Sequence, residues 1–428
     1  MTQQRRLRMI RLGVIAATAA SALLLSGCSG SASGGSADSQ KDTKTFSLAF
    51  GVSNQVETGY EKLAKEYMTQ NPGVKITINK LPGETYAQTI RTQLQAGNAS
   101  DVFVGAPGVG QAYSVVTLAK AGLLAPLDES AKKLIPAGAD AQFTVDGKVY
   151  GQALDIAFVG NIYNELPGVA YPKDFQGVLD TCASVAAEGK SLFVIAGSIG
   201  ANTGIMAQTI AATRVYAKDP KWDQERVAGK TTFAKSQGWK ETLQDIVAMN
   251  KAGCFQKGAE GAGFDAITNG LTQGAAVGMF GPSGAATEIN TAAQGHAKFD
   301  VQAFPAKTSS DKQYGVASST YAYGIAASSK NKVAAQKFLD WMAKPEQSKA
   351  FATDQGTIPV SGYQDIDYSN SVYAPVEKLL KDGAYTPLPN SSWPSAAVYD
   401  ALGAGVQGLL TGQKTVDQVL ADMDAAWS

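Results

Sequence analysis

The feature that most restricts how this chain can fold is the order in which its hydrophobic period changes between residues 45 and 105. Phe46-Ser47-Leu48-Ala49-Phe50 alternates and stops at Gly51, which reads as a strand. Val56, Tyr60, Leu63, Ala64, Tyr67 and Met68 then share one helical face, and Asn71-Pro72-Gly73 ends the helix. Val74 to Ile78 alternates again, Tyr86, Ile90 and Leu94 mark a second helix ending near Gly97, and Asp101 to Val104 reads as a short buried strand. Strand and helix in strict alternation predict an α/β fold: a mainly parallel sheet, helices on both faces, right-handed crossovers. Ligands of such sheets sit at the carboxyl ends of the strands. Those ends are the loops Gly51 to Gln55 and Gly105 to Gly110, whose glycines let backbone approach a neighbour closely. Neither loop carries GxGxxG or a phosphate-binding Lys-Ser/Thr, so no nucleotide site is expected.

Beyond this unit, Asp146-Gly147 marks a turn, and a strand-like stretch runs toward Ile162-Tyr163-Asn164. Residues 165–305 mix helices with short strands, Ala334 to Met342 is a helix, and Ala397 to Trp427 is helical with glycine interruptions. At 428 residues the chain has room for two to three domains at roughly 150 residues each.

Residue usage removes several classes of chemistry. With one histidine (His296) and three cysteines, neither a four-cysteine nor a two-cysteine, two-histidine zinc site can be built. No metal or cofactor is expected. His296 lies in a polar, surface-like stretch, and no nucleophile elbow accompanies it, which argues against a Ser-His-Asp hydrolase. Glycosidases need two carboxylates at a set separation, and nothing singles out a pair. The expectation is a binding protein, not an enzyme.

Arg5, Arg6, Arg8 and Arg11 precede the apolar run Leu12 to Leu25, whose length is below the roughly 20 residues of a membrane span. This is the layout of a secretory signal. It closes on Leu25-Ser26-Gly27-Cys28, which resembles a bacterial lipobox; the resemblance implies residues 1–27 as signal peptide and Cys28 as the lipidated first residue. Residues 28–44 follow as a Gly/Ser/Ala-rich tether. The mature chain then carries 33 basic and 37 acidic side chains, a net −4 that suits neither nucleic acid nor an acidic surface. Cys182 and Cys254 remain, either as two free thiols or as a disulfide; an oxidising compartment favours the disulfide.

Several ordered pieces resemble the extracellular solute-binding proteins of bacterial ABC importers, of the carbohydrate- or maltose-binding type. They are Asn71-Pro72-Gly73-Val74, Ala121 to Asp128 (AGLLAPLD), Asp146 to Gly151 (DGKVYG), Phe280-Gly281-Pro282, Ser328 to Lys332 with Lys337-Phe338-Leu339, and Leu410 to Val416 (LTGQKTV). The likeness runs from about Phe46 to Trp427, with Ser100 and Ser283 standing where proline and tryptophan are usual. It implies two lobes and three hinge crossings: 45–154 and 321–358 in one lobe, 155–320 and 359–428 in the other. It also implies a cleft that closes on ligand and docking to permease subunits by a monomer held on the outer face of the membrane.

Position within that pattern assigns Asn54, Gln55, Asp155, Ser198, Asn202, Ser283, Tyr321, Trp393 and Tyr399 to the cleft, with Trp393, in the polar loop Asn390 to Pro394, as the stacking platform. The ligand class follows from composition. Only Arg91, Arg214 and Arg226 remain after the signal, so the bidentate fork that grips carboxylates and phosphates is scarce. Sixteen Tyr, fifteen Phe and five Trp supply the flat faces that neutral sugars need, so a neutral carbohydrate, and an oligosaccharide above a monosaccharide, is expected. A sensor or adhesion lipoprotein of the same fold, or a secreted glycoside-acting enzyme, are the alternative readings.

Overall fold

The computed structural model describes residues 43–427 except 53–56, 166–168 and 294–296. The export segment with Cys28, the loop residues Asn54 and Gln55, and His296 lie outside the described residues. The alternation read from the sequence forms β1 (Thr45–Val52), α1 (Gly59–Gln70), β2 (Lys75–Pro82), α2 (Gly83–Ala96) and β3 (Val102–Gly105). Thr58 caps α1 by accepting the Glu61 N–H, and Gly97 closes α2 at φ 71°, a left-handed turn that favours glycine. β1 lies between β2 and β3, parallel to both.

The same sheet takes in β4 (Leu124–Ala125); a separate hairpin of β5 (Thr144–Val145) and β6 (Lys148–Val149) precedes β7 (Gln152–Ala153). The chain then leaves into a second sheet through β8 (Asp155–Asn164), ten residues that are all buried. Around β8 gather β9 (Ser191–Val194), β10 (Ala276–Pro282), β11 (Phe299–Gln302) and β12 (Gly315–Ser318), in the order β12-β8-β10-β9, with β11 also on β8. Between Ser318 and Ala322 the chain returns to the first sheet as β13 (Ala322–Ala326). After helix Pro345–Gln355 it crosses a third time into β14 (Ile358–Pro359), which pairs with β8, and β15 (Tyr385–Thr386) closes the second sheet beside β12.

Both sheets are mixed, which corrects the expectation of mainly parallel ones. β13 runs against β3, β4 and β7, and β8 runs against β10, β11, β12 and β14. The cause is the crossings. A strand that enters the first sheet from the other lobe starts where the parallel strands end, as Ala322 does opposite Gly105, and can only run back along them. Short hydrophobic strands carry no mark of direction in the sequence.

Each lobe has a core of its own, and a further core runs from Phe103 and Ala322 of the first sheet to Ile156 and Phe158 of the second. Phe46, Phe50, Tyr67, Tyr323 and Phe338 pack in the first lobe; Phe193, Trp239, Phe280 and Trp393 pack in the second. Cys182, on helix Phe175–Ala187, is disulfide-bonded to Cys254, which follows helix Gln237–Lys251, and both are fully buried.

Candidate functional site

β1, β2 and β3 end on the same side of the first sheet, and there a cavity of about 470 Å³ opens. Gly51 and Val52 reach it from β1, Gly83 from the start of α2 just after β2, and Val104 from β3, with Thr58 and Tyr60 at the start of α1. Tyr321, Asp354 and Gln355 come from the second and third crossings, so the cavity faces the hinge. This is the end of a parallel sheet at which ligands of α/β folds bind.

Four tyrosines dominate the wall: Tyr60, Tyr86, Tyr113 and Tyr321. Burial raises the phenol pKa of all four, that of Tyr113 to about 12, so they act as neutral hydroxyls. Tyr86 is spent on the scaffold: its hydroxyl donates to the Val104 carbonyl (2.7 Å) and accepts the Val104 N–H (3.1 Å), tying α2 to β3. The acids of the wall, Glu57 and Asp354, pair with Lys65 and Lys62 of α1. No arginine or lysine lines the cavity among the described residues. Of the two second-lobe arginines, Arg214 is buried against Asp245 (2.8 Å) and Arg226 pairs with Asp424 (3.2 Å).

Asp155 joins the crossings to one another. It opens β8, pairs with Pro359 of β14, accepts the Thr320 N–H on its carboxylate (3.0 Å) and accepts the Ser319 hydroxyl on its carbonyl (2.7 Å). Burial pushes its carboxyl up to about 6, while the Thr320 and Tyr321 N–H groups pull the other way. Its atoms tie the hinge strands together, and it does not line the cavity.

The other residues assigned from sequence separate sharply. Among the described ones, Tyr321 alone lines the cavity. The Ser198 hydroxyl is exposed and donates to the Ala262 carbonyl (2.8 Å). Asn202 spends its amide on the Ala196 N–H (2.9 Å) and the Phe280 carbonyl (3.3 Å), holding helix Gly200–Ala211 to β10. Ser283 is fully buried and accepts from the Phe158 N–H (3.2 Å) and the Tyr373 hydroxyl (2.9 Å). The Tyr399 hydroxyl donates to the Ala201 carbonyl (2.7 Å), and its ring lies against Gly204 so closely that a Cβ there would meet it at 2.5 Å.

Trp393 overturns the expected stacking platform. Its ring is 0% exposed, edge-on to Phe233 (5.5 Å) and Trp239 (5.9 Å), and its Nε1–H donates to Asp223 (3.1 Å). The polar loop is real, yet the tryptophan turns inward from it, because Asp223 satisfies the indole N–H and the aromatic cluster takes the ring. Ser391 of that loop meets the first lobe instead: its carbonyl accepts the Val109 N–H (3.1 Å), and Gly108, at φ 75°, passes so near that a Cβ would lie 1.9 Å from it.

Tyr60 and Tyr86, the cavity residues the sequence pattern hid, stand on the apolar stripes of α1 and α2 and so read as core. The available signal was position: a stripe residue in the first turn of a helix that follows a parallel strand looks toward the strand ends.

Chains of this shape are well represented among solved structures. A chitin oligosaccharide binding protein superposes with a TM-score of 0.71 at 22% identity, covering 89% of this chain and 97% of that one. A solute-binding protein solved with raffinose gives 0.71 at 20% identity over 90% and 98%. A binding protein of Brucella abortus (strain 2308) is 25% identical over 382 residues, 86% of this chain and 88% of the relative. The sequence profile of the bacterial extracellular solute-binding proteins matches residues 53–349, and the chain belongs to that family.

Proposed function

We propose that this protein captures a neutral carbohydrate, an oligosaccharide in preference to a monosaccharide, in the cavity at the ends of β1, β2 and β3. The observation that carries this reading is the wall itself: tyrosine faces and hydroxyls, the Gln355 amide, paired acids and no cationic side chain among the described residues. Sugars present apolar C–H faces and hydroxyl rims, which such a wall matches, whereas an anionic ligand would find no counter-charge. Structural relatives solved with raffinose, maltotetraose and stachyose support the same class.

In this reading the lobes, 45–154 with 321–358 and 155–320 with 359–428, close on the sugar about the crossings, and the closed form is handed to ABC permease subunits. A ligand can favour closure only through its higher affinity for that state. The protein is exported and held at the outer face of the membrane by a lipid on Cys28, and it acts as a monomer without catalysing a reaction. Cys28→Ala should release it from membranes.

The decisive test is a thermal-shift and calorimetric screen of neutral mono- and oligosaccharides against amino acids, phosphate and sulfate. Stabilisation by sugars alone is expected. Stabilisation by the anions or amino acids, with none by sugars, refutes the reading.

A further inference from the structure

One buried hydroxyl of the cavity wall has no hydrogen-bond partner among the described residues. Tyr60 stands in the first turn of α1 with its ring packed against Phe50 (5.3 Å) and Phe351 (5.1 Å), and only 7% of the residue is exposed. Its Oη is buried and makes no hydrogen bond among the described residues. Buried hydroxyls are paired in most folded proteins, so an unpaired one asks for a reason. The contrast with Tyr86 on the same wall is direct, because that hydroxyl is satisfied by the backbone of β3.

The rings around Tyr60 locate it: Tyr323 lies edge-on at 6.2 Å, and Tyr321 and Tyr86 line the same cavity. Tyr321 stands edge-on over the Tyr60 ring, with 6.3 Å between centroids and 79° between planes. Tyr321 belongs to the second crossing and is half-buried, so a ring of the hinge segment packs against Tyr60.

We propose that Tyr60 is a specificity-determining residue of the ligand site, its Oη reserved for a hydroxyl of the bound sugar where α1 meets the hinge. This rests on the carbohydrate reading above. A site that holds a buried polar group for its ligand rejects analogues lacking the matching group, because binding them leaves the protein hydroxyl unpaired. Tyr321 closes over the pair from the hinge side.

The test is Tyr60→Phe, which keeps the ring and its packing and removes one oxygen. Wild type and variant are compared by scanning fluorimetry without ligand. Both are then titrated by calorimetry with raffinose, maltotetraose, a chitin oligosaccharide and a panel of other neutral sugars, including deoxy analogues of whichever binds. The free variant should melt at or above the wild-type temperature, since no hydrogen bond is lost. Its sugar affinity should fall about tenfold. One deoxy analogue should bind wild type weakly and the two proteins equally well. An unchanged affinity in the variant, or a lower melting temperature of the free variant, overturns the role of Tyr60 and leaves the carbohydrate reading standing. A wild type that binds no sugar overturns the carbohydrate reading, and the role of Tyr60 falls with it.

Discussion

Replacing Trp393 by alanine should cost stability and spare the ligand. The side chain is fully buried among Phe233, Trp239 and Trp427, with centroids at 5.5, 5.9 and 6.4 Å, and its truncation opens a cavity in the second-lobe core. Removal of a buried tryptophan costs about 3–5 kcal/mol. At about 2–4 °C per kcal/mol for a large domain, the melting temperature should fall by roughly 6–20 °C. Trp393→Phe separates packing from polarity, since it keeps a ring and loses the Nε1–H that Asp223 accepts at 3.1 Å.

Asp223 also accepts the Tyr216 hydroxyl (2.8 Å), and burial pushes its carboxyl up to about 7. A carboxyl raised in the folded state contributes stability that is full below its ordinary pKa near 4 and is lost as pH rises through 7. Trp393→Phe withdraws a donor that favours the carboxylate, so the loss should extend to higher pH than in wild type. Urea denaturation at pH 5, 7 and 8.5 reads the first effect, and calorimetry with the bound sugar reads the second. An unchanged melting temperature together with lost sugar affinity would refute the reasoning and restore Trp393 to the cleft.

Asp155→Asn should flatten the stability of the protein between pH 4 and 6: the wild-type carboxyl, raised to about 6, gives up stability as pH climbs through that window, and the amide does not titrate. Melting temperatures across pH 4–8 check this, and parallel curves for the two proteins contradict it. Gly108→Ala places a Cβ 1.9 Å from the Ser391 carbonyl at a backbone φ of 75°, so the two loops must part; small-angle scattering should show a larger radius of gyration for the free protein, with no change marking the contact as incidental. Removing the disulfide as Cys182→Ser with Cys254→Ser should cost about 4 kcal/mol for a sequence separation of 72 on the chain-entropy account, and equal urea midpoints would exclude it.

Local period and local punctuation were enough to read the first lobe. β1, α1, β2, α2 and β3 follow from alternation, from the Tyr60-to-Met68 stripe, and from Asn71-Pro72-Gly73 and Gly97, because each signal acts within a few residues. The cavity lies at the strand ends that the parallel order of β1, β2 and β3 had pointed to. The scarcity of arginine, visible in the sequence, is carried through to a wall without cationic side chains among the described residues.

Tertiary structure decided the rest, and in each case the deciding partner is far along the chain. The crossings set strand direction: β13 meets β3 more than two hundred residues later and must run against it. The family resemblance assigns Trp393 to the cleft and its polar loop agrees, but Asp223, 170 residues away, and Phe233 draw it into the core. Asn202, Ser283 and Tyr399 have the chemistry of ligand groups and spend it on Phe280, Tyr373 and Ala201. Tyr60 is the reverse case. Its stripe position names a core residue, and only the assembled cavity leaves its hydroxyl without a partner among the described residues. A polar atom is free for ligand only when the fold has not already bonded it, and that balance is struck by contacts that no sequence window contains.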